Sequence, residues 1–191
     1  MRAALVLLAF TCCASAVELH IQFGALERML TEQAFTQEGR RYVHGSRSAK
    51  CNFAYLEKPT VRGDGGLLRI KARFTGRSAL NLVGQCVGMG DAFDVVVTAL
   101  PVYRDGALGL QQVKVTSEGK SGYYIRKVCE AMQASLARDF KYPLEDQAKR
   151  MLEDPAAQPG YKREVRKLAV PDIRVTGDAL VLQVDFELTV K

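Results

Sequence analysis

The chain has 191 residues, 48% hydrophobic and 25% charged, and its 27 lysines and arginines against 21 aspartates and glutamates give a formal net charge of +6. That length supports one domain with a substantial core and no need of a structural metal. Past the first residues no apolar run approaches the ~20 residues of a membrane span, and no basic–aromatic motif of nucleic-acid recognition occurs, so no nucleic-acid partner is expected.

Residues 1–16, MRAALVLLAFTCCASA, combine an early Arg2, an apolar run from Ala3 to Phe10 and the small residues Ala14-Ser15-Ala16. This is the pattern of a cleavable secretory signal, and it predicts a periplasmic or secreted mature domain over 17–191, cut near Ala16. Lipid anchoring is not expected, because Cys12 and Cys13 follow Ala9-Phe10-Thr11 instead of the small and aliphatic residues of a lipidation site. Beyond the signal the cysteines are Cys51, Cys86 and Cys129. Export predicts one disulfide, and Cys51 with Cys86 is the expected pair: both lie in the strand-rich first half, whereas Cys129 falls on the apolar stripe of a helix and reads as a buried thiol.

The segment 17–22 alternates as a short strand. Phe23, Leu26, Met29, Leu30 and Ala34 then recur at helical spacing, predicting an amphipathic helix over 25–35 that Gly39 ends. The polar stretch 40–50 reads as a loop. Strands follow over 51–62 and 67–76, joined by Gly63-Asp64-Gly65-Gly66. In the second, Leu68, Ile70, Ala72 and Phe74 oppose Arg69, Lys71, Arg73 and Thr75. The Gly-rich stretch 77–91 reads as irregular. A second hairpin, 92–103 and 107–117, turns at Arg104-Asp105-Gly106. Phe93, Val95, Val97 and Ala99 share one face, and a change of phase in the return strand places a bulge near Gln111-Gln112.

From Ser121 the period becomes helical: Ile125, Val128, Cys129, Met132, Leu136 and Phe140 form one stripe of a helix over 121–141, ~30 Å long. Pro143 breaks it, and Leu144, Ala148, Met151 and Leu152 continue a shorter helix. Residues 154–160, with Pro155 and Pro159, read as a surface connection. After 165–170 and 173–175, the closing strand from Ala179 places Leu180, Leu182, Val184, Phe186, Leu188 and Val190 on one side. Burying such side chains is worth ~1.5–3 kcal/mol each, so that face calls for an apolar cover. The expected architecture is α+β: a curved antiparallel sheet wrapped around the long amphipathic helix, with a short N-terminal helix.

The segment TALPVYRDGALGLQQVKVTS, 98–117, resembles the central hairpin of the YceB-like family of small bacterial envelope lipoproteins. There an A-L-P-V-aromatic motif ends one strand and a G-A-hydrophobic motif starts the next. The likeness continues into the end of the following helix, 136–140, and into 167–175. It implies a sheet wrapped about a long helix, similar to one half of the tubular lipid-binding (TULIP-like) proteins, which hold acyl chains between helix and sheet. The chain departs from the family in lacking the lipidation signal, and the resemblance carries over no catalytic residue.

Catalysis is not expected. No G-x-S-x-G, H-E-x-x-H or Walker-type sequence occurs. Asp91 with Asp94 and Asp185 with Glu187 read as exposed strand carboxylates, and His44 has no nucleophile in its loop. With only His20 and His44, and no two of the mature cysteines within four residues, neither metal nor cofactor is expected. The favoured function is binding or carrying a lipid or other hydrophobic small molecule, lined by Leu68, Ile70, Phe74, Phe93, Val95, Val97, Ile125, Met132, Leu136, Leu182, Val184 and Phe186. The same residues would serve a filled core. In that case the chain is an envelope module that binds a protein through a sheet edge or through the basic stretch Lys162, Arg163, Arg166 and Lys167. That stretch reads either as a solvated segment at a helix end or loop, or as a contact for an anionic membrane surface or an acidic partner. The oligomeric state is not legible.

Overall fold

A computed structural model describes residues 17–154 and 162–191; the signal assigned to 1–16 and the connection through 155–160 lie outside the described residues. In chain order the elements are β1 (Val17–Gln22), α1 (Phe23–Gln33), β2 (Arg40–His44), β3 (Asn52–Asp64), β4 (Leu67–Leu82), β5 (Gln85–Arg104), β6 (Ala107–Glu118), α2 (Tyr123–Asp139), α3 (Leu144–Glu153), β7 (Arg163–Val175) and β8 (Ala179–Val190). Strands β2 to β6 form one five-stranded antiparallel sheet in sequence order, and β1-β8-β7 form a second of three strands.

The expected α+β fold, a curved sheet around one long helix, is therefore corrected. Of the described residues 59% are strand and 23% helix, in two antiparallel sheets and three short helices. Length gives the physical reason. β5 has 20 residues and at ~3.3 Å per residue runs ~65 Å, whereas the 17 residues of α2 reach ~25 Å. The helix can cover only one part of such a face and leaves the rest to other elements or to solvent.

Three covers share the inner face of the large sheet. In its middle, Phe74, Phe93, Val95, Val97 and Val115 pack against Ile125 and Cys129 of α2, with Met132 and Leu136 at the margin. Toward the β3–β4 turn, Val61 and Leu68 pack against Phe23 of α1, flanked by Leu26, Leu30, Ile70 and Val175. The small sheet builds its own cluster from Val170, Leu180 and Leu182 with Ile21, Tyr103, Leu108, Leu144 and Val184 around it. At Gly63 the two sheets meet closely: a Cβ there would lie 2.0 Å from the Thr176 carbonyl oxygen, so no larger residue fits.

Several local expectations change. The segment 40–50 is not all loop, since β2 pairs with β3 from Arg40 opposite Glu57 to His44 opposite Ala54. The segments 165–170 and 173–175 merge into β7 through two irregularities in register, and the basic stretch begins that strand instead of ending a helix or lying in a loop. The bulge falls where the change of phase placed it: Gln112 and Val113 stand against Ala99, with Gln112 at φ 51°. In β8 the apolar face is covered only at its start. Ala179 to Leu182 are buried, while Phe186, Leu188 and Val190 are exposed.

The largest correction concerns 77–91. It is not irregular: β4 and β5 pair without a break from Leu68 opposite Ala99 to Leu82 opposite Gln85. The turn is Val83-Gly84, both at positive φ, the backbone of a two-residue hairpin whose twist matches the strands it joins.

Candidate functional site

The structure distributes the residues singled out from the sequence among three places. Phe74, Phe93, Val95, Val97, Ile125, Met132 and Leu136 do meet, at the α2–sheet interface, where they pack on one another. Leu68 lies with Phe23 of α1, and Ile70 packs against both this cluster and the α2–sheet cluster. Leu182 and Val184 belong to the small sheet's cluster, and Phe186 is exposed. The inner members are tightly enclosed, with Phe74 and Phe93 only 2% and 1% exposed and their ring centroids 4.9 Å apart. Two open surface depressions have other linings. One of ~580 Å³ is bordered by Phe53, Arg73, Arg77, Asp91 and Lys120; one of ~310 Å³ lies between Pro101 to Arg104 and Val170 to Ile173.

Beyond the α2 interface the inner face continues uncovered. On β4 the residues that follow Phe74 on the same side are Gly76, Ser78, Leu80 and Leu82, opposite Asp91, Met89, Val87 and Gln85 of β5. The cover stops at the first of these pairs. A Cβ on Gly76 would come within 2.8 Å of the Phe74 ring and 3.3 Å of the Tyr124 hydroxyl, so the Tyr124 side chain, from the first turn of α2, reaches over this glycine, and Lys120, just before the helix, pairs with Asp91. Past that point Leu80, Leu82, Val83, Val87 and Met89 are all exposed.

The neighbouring strands end on either side of this point, β6 before it and β3 just beyond it. β3 starts at Asn52 opposite Ser78, its Asn52 Oδ1 accepting the Ala79 N–H at 2.9 Å. β6 ends at Glu118 opposite Asp94. Residues 79–88 therefore project as a two-stranded finger, about 15–20 Å long at the usual rise per residue. The expected disulfide is present: Cys51 and Cys86 are bonded, with 5.3 Å between their Cα atoms, and the bond ties the finger to the start of β3. Cys129 is free and buried, and burial pushes its thiol up from the ordinary value.

The tip carries a local conflict. Val83 sits at φ 50°, in the left-handed region that a β-branched side chain avoids and that asparagine or glycine accepts, and its side chain is fully exposed. The residue suits neither the turn backbone nor water.

On the opposite face of the sheet, charge is matched. Lys71 binds Glu118 at 2.8 Å and Asp94 at 3.0 Å, Arg73 binds Asp94 at 3.0 Å, and Arg69 binds Glu118 at 2.7 Å. The Arg73 and Lys71 side chains hold Asp94 below the ordinary carboxylate range, Lys71 does the same for Glu118, and both carboxylates raise Lys71. Asp91 is lowered by Lys120 and by the Ala92 N–H. The Asp91 and Asp94 carboxylates are thus occupied by cations. Among the described residues no cluster of three or more His, Cys, Asp or Glu side chains could hold a metal ion, and no helix is long and apolar enough to cross a membrane. The basic stretch forms no single patch: Arg163 donates to the Asp154 carbonyl at 2.8 Å, while Arg166 and Lys167 are exposed along β7.

The finger is the feature that the sequence reading missed. Its signal was the alternation of Leu80 and Leu82 with Val87 and Met89 about Gly84, obscured by Gly84, Gly88 and Gly90. No protein-family model, curated protein or solved structure matches the chain.

Proposed function

We propose that this chain is an exported, non-catalytic binding module with a filled core, which attaches to its target through the apolar side of the β4–β5 finger. One observation carries the reading: the inner face that buries Phe74 and Phe93 runs on into Leu80, Leu82, Val87 and Met89, where nothing in the described chain covers it. Monomers seldom leave a contiguous apolar surface exposed unless it meets a partner. The packing of Phe74, Phe93, Val95 and Val97 directly on Ile125 and Cys129 favours this over a lipid held between α2 and the sheet, because those groups already satisfy one another. The Cys51–Cys86 bond is compatible with an oxidising compartment, and with the signal-like residues 1–16 it supports placement in the periplasm or outside the cell. The disulfide also suits the role, since a finger fixed at its base loses less freedom on binding.

Oxidative footprinting tests the reading without any mutation. Met89 at the base of the finger, on its apolar side, and Met151 on α3 are 73% and 76% exposed, so both oxidise at similar rates in the purified protein. In the compartment where the protein works, Met89 is expected to be protected and Met151 to react as before. Equal oxidation of both there overturns the proposal.

A further inference from the structure

We infer that the partner of the finger is the surface of an anionic phospholipid bilayer, with the tip residues Leu82 and Val83 entering the headgroup–acyl boundary. This rests on the finger being the contact surface. Three observations favour lipid. First, residues 77–90 contain one charged side chain, Arg77, and no carboxylate, so nothing acidic would have to be desolvated or brought toward lipid phosphates. Second, cations lie around the base. Arg77 itself donates to the Cys86 carbonyl at 3.2 Å, Lys50 precedes the disulfide-bonded Cys51, and Arg126 lies over the Tyr123 ring, 5.6 Å from its centroid. Among the described residues no carboxylate forms a salt bridge with Arg77, Lys50 or Arg126, although Glu130, which binds Lys127, also feels the charge of Arg126. Lys120 and Lys127 lie at the same end, matched by Asp91 and Glu130. The base thus keeps a positive surplus, and the first turn of α2 has no acidic residue to offset it. Third, Tyr123 stands exposed at the start of α2, where an aromatic ring with a polar end suits the headgroup level.

The geometry also limits depth. The outer edge of β5 is unpaired from Gln85 until β6 joins at Asp94, and backbone groups left unpaired in hydrocarbon are costly. Only the tip can enter, to the ~5–10 Å of an interfacial element, which brings the cations of the base toward the phosphates.

The test uses the purified, disulfide-bonded protein and sedimentation with vesicles, either of phosphatidylcholine alone or containing about 30% phosphatidylglycerol, a charge density that attracts basic proteins. Binding is expected to the anionic vesicles, weakening as salt is added. Val83→Asp is expected to reduce it about tenfold or more, by removing an apolar anchor and adding a charge, and Arg77→Glu by a similar factor, chiefly through charge. Thr116→Asp on the exposed side of β6, away from the finger, should leave it unchanged. Wild-type protein that ignores anionic vesicles, or Val83→Asp and Arg77→Glu variants that bind them as well as the wild type does, overturns the inference. If vesicles are ignored while Met89 is still protected in the native compartment, the finger meets a protein, for instance a strand added along the free edge of β5; if Met89 is unprotected as well, both readings fail.

Discussion

Leu80 and Val87 face each other across the β4–β5 hairpin, three pairs beyond Phe74 and Phe93 on the same side of the same two strands. The inner pair is sealed and the outer pair stands in water; Leu80 is 70% exposed. One face thus serves two purposes, separated at Gly76 by the start of α2.

Replacing core and finger residues should give opposite profiles. Phe74→Ala is expected to cost ~3–5 kcal/mol, through lost burial and the cavity left behind. Leu80→Ser should change stability by less than about 0.5 kcal/mol yet weaken target binding. Chemical denaturation of the two variants checks the contrast.

Val83→Asn should make the protein more stable. Asparagine accepts the left-handed backbone that Val83 occupies at φ 50°, and the relief is about 1 kcal/mol, seen as a higher melting temperature. The same change should impair binding, since it removes an apolar side chain from the tip. A variant that is both more stable and fully active would show that Val83 has no role in contact.

Removing the disulfide in Cys51→Ser/Cys86→Ser opens the constraint on a segment of 35 residues and should cost ~3–4 kcal/mol on the chain-entropy account. Hydrogen exchange in the finger should then accelerate more than in the Phe74–Phe93 pairing, because the bond is the finger's principal tie to β3. Uniform acceleration would mean that it stabilises the fold without positioning the finger.

Stability should fall in acid. Asp91, Asp94 and Glu118 are all held below their ordinary values by neighbouring cations. Carboxylates with lowered folded values contribute stability above their unfolded values of about 4 and lose it as pH falls through the folded ones. The melting temperature should therefore be flat from neutral pH to about 5 and decline below that, less steeply in Asp94→Asn. The groups are only half-buried, so the slope should be modest and reduced by salt.

Cys129 should resist alkylation in the native protein. Its thiol is buried and its ionisation is opposed by that burial; the thiolate is the reacting form. Iodoacetamide is expected to label it at an appreciable rate only after denaturation.

Much of this was legible because side-chain period is a local property. The strict alternation of Leu68, Ile70, Ala72 and Phe74 announced β4, the glycines at 65 and 66 announced a tight turn, and the phase change near Gln112 announced its bulge. The choice of cover was not legible. The stripe from Ile125 to Leu136 fixes a helix, but whether it fills a wrapped sheet or caps part of one depends on strand lengths, and these were underestimated where glycines interrupt Leu80, Leu82, Val87 and Met89. Those glycines lower strand propensity without breaking the pairing, because a two-residue turn and a continuous register with β4 hold them in place. A pattern of apolar residues likewise does not distinguish a buried side chain from one awaiting a partner, which is why Phe186 read as lining and stands exposed.

The most direct test of the finger as the contact surface is site-specific photo-cross-linking in the native compartment, with a benzophenone side chain placed at Val83 in one protein and at Lys114 on β6 in another. Both positions are exposed. Adducts from position 83, to lipid or to a discrete protein, with none from position 114, are the predicted result. Equal yields from the two positions, or none from position 83, would contradict it.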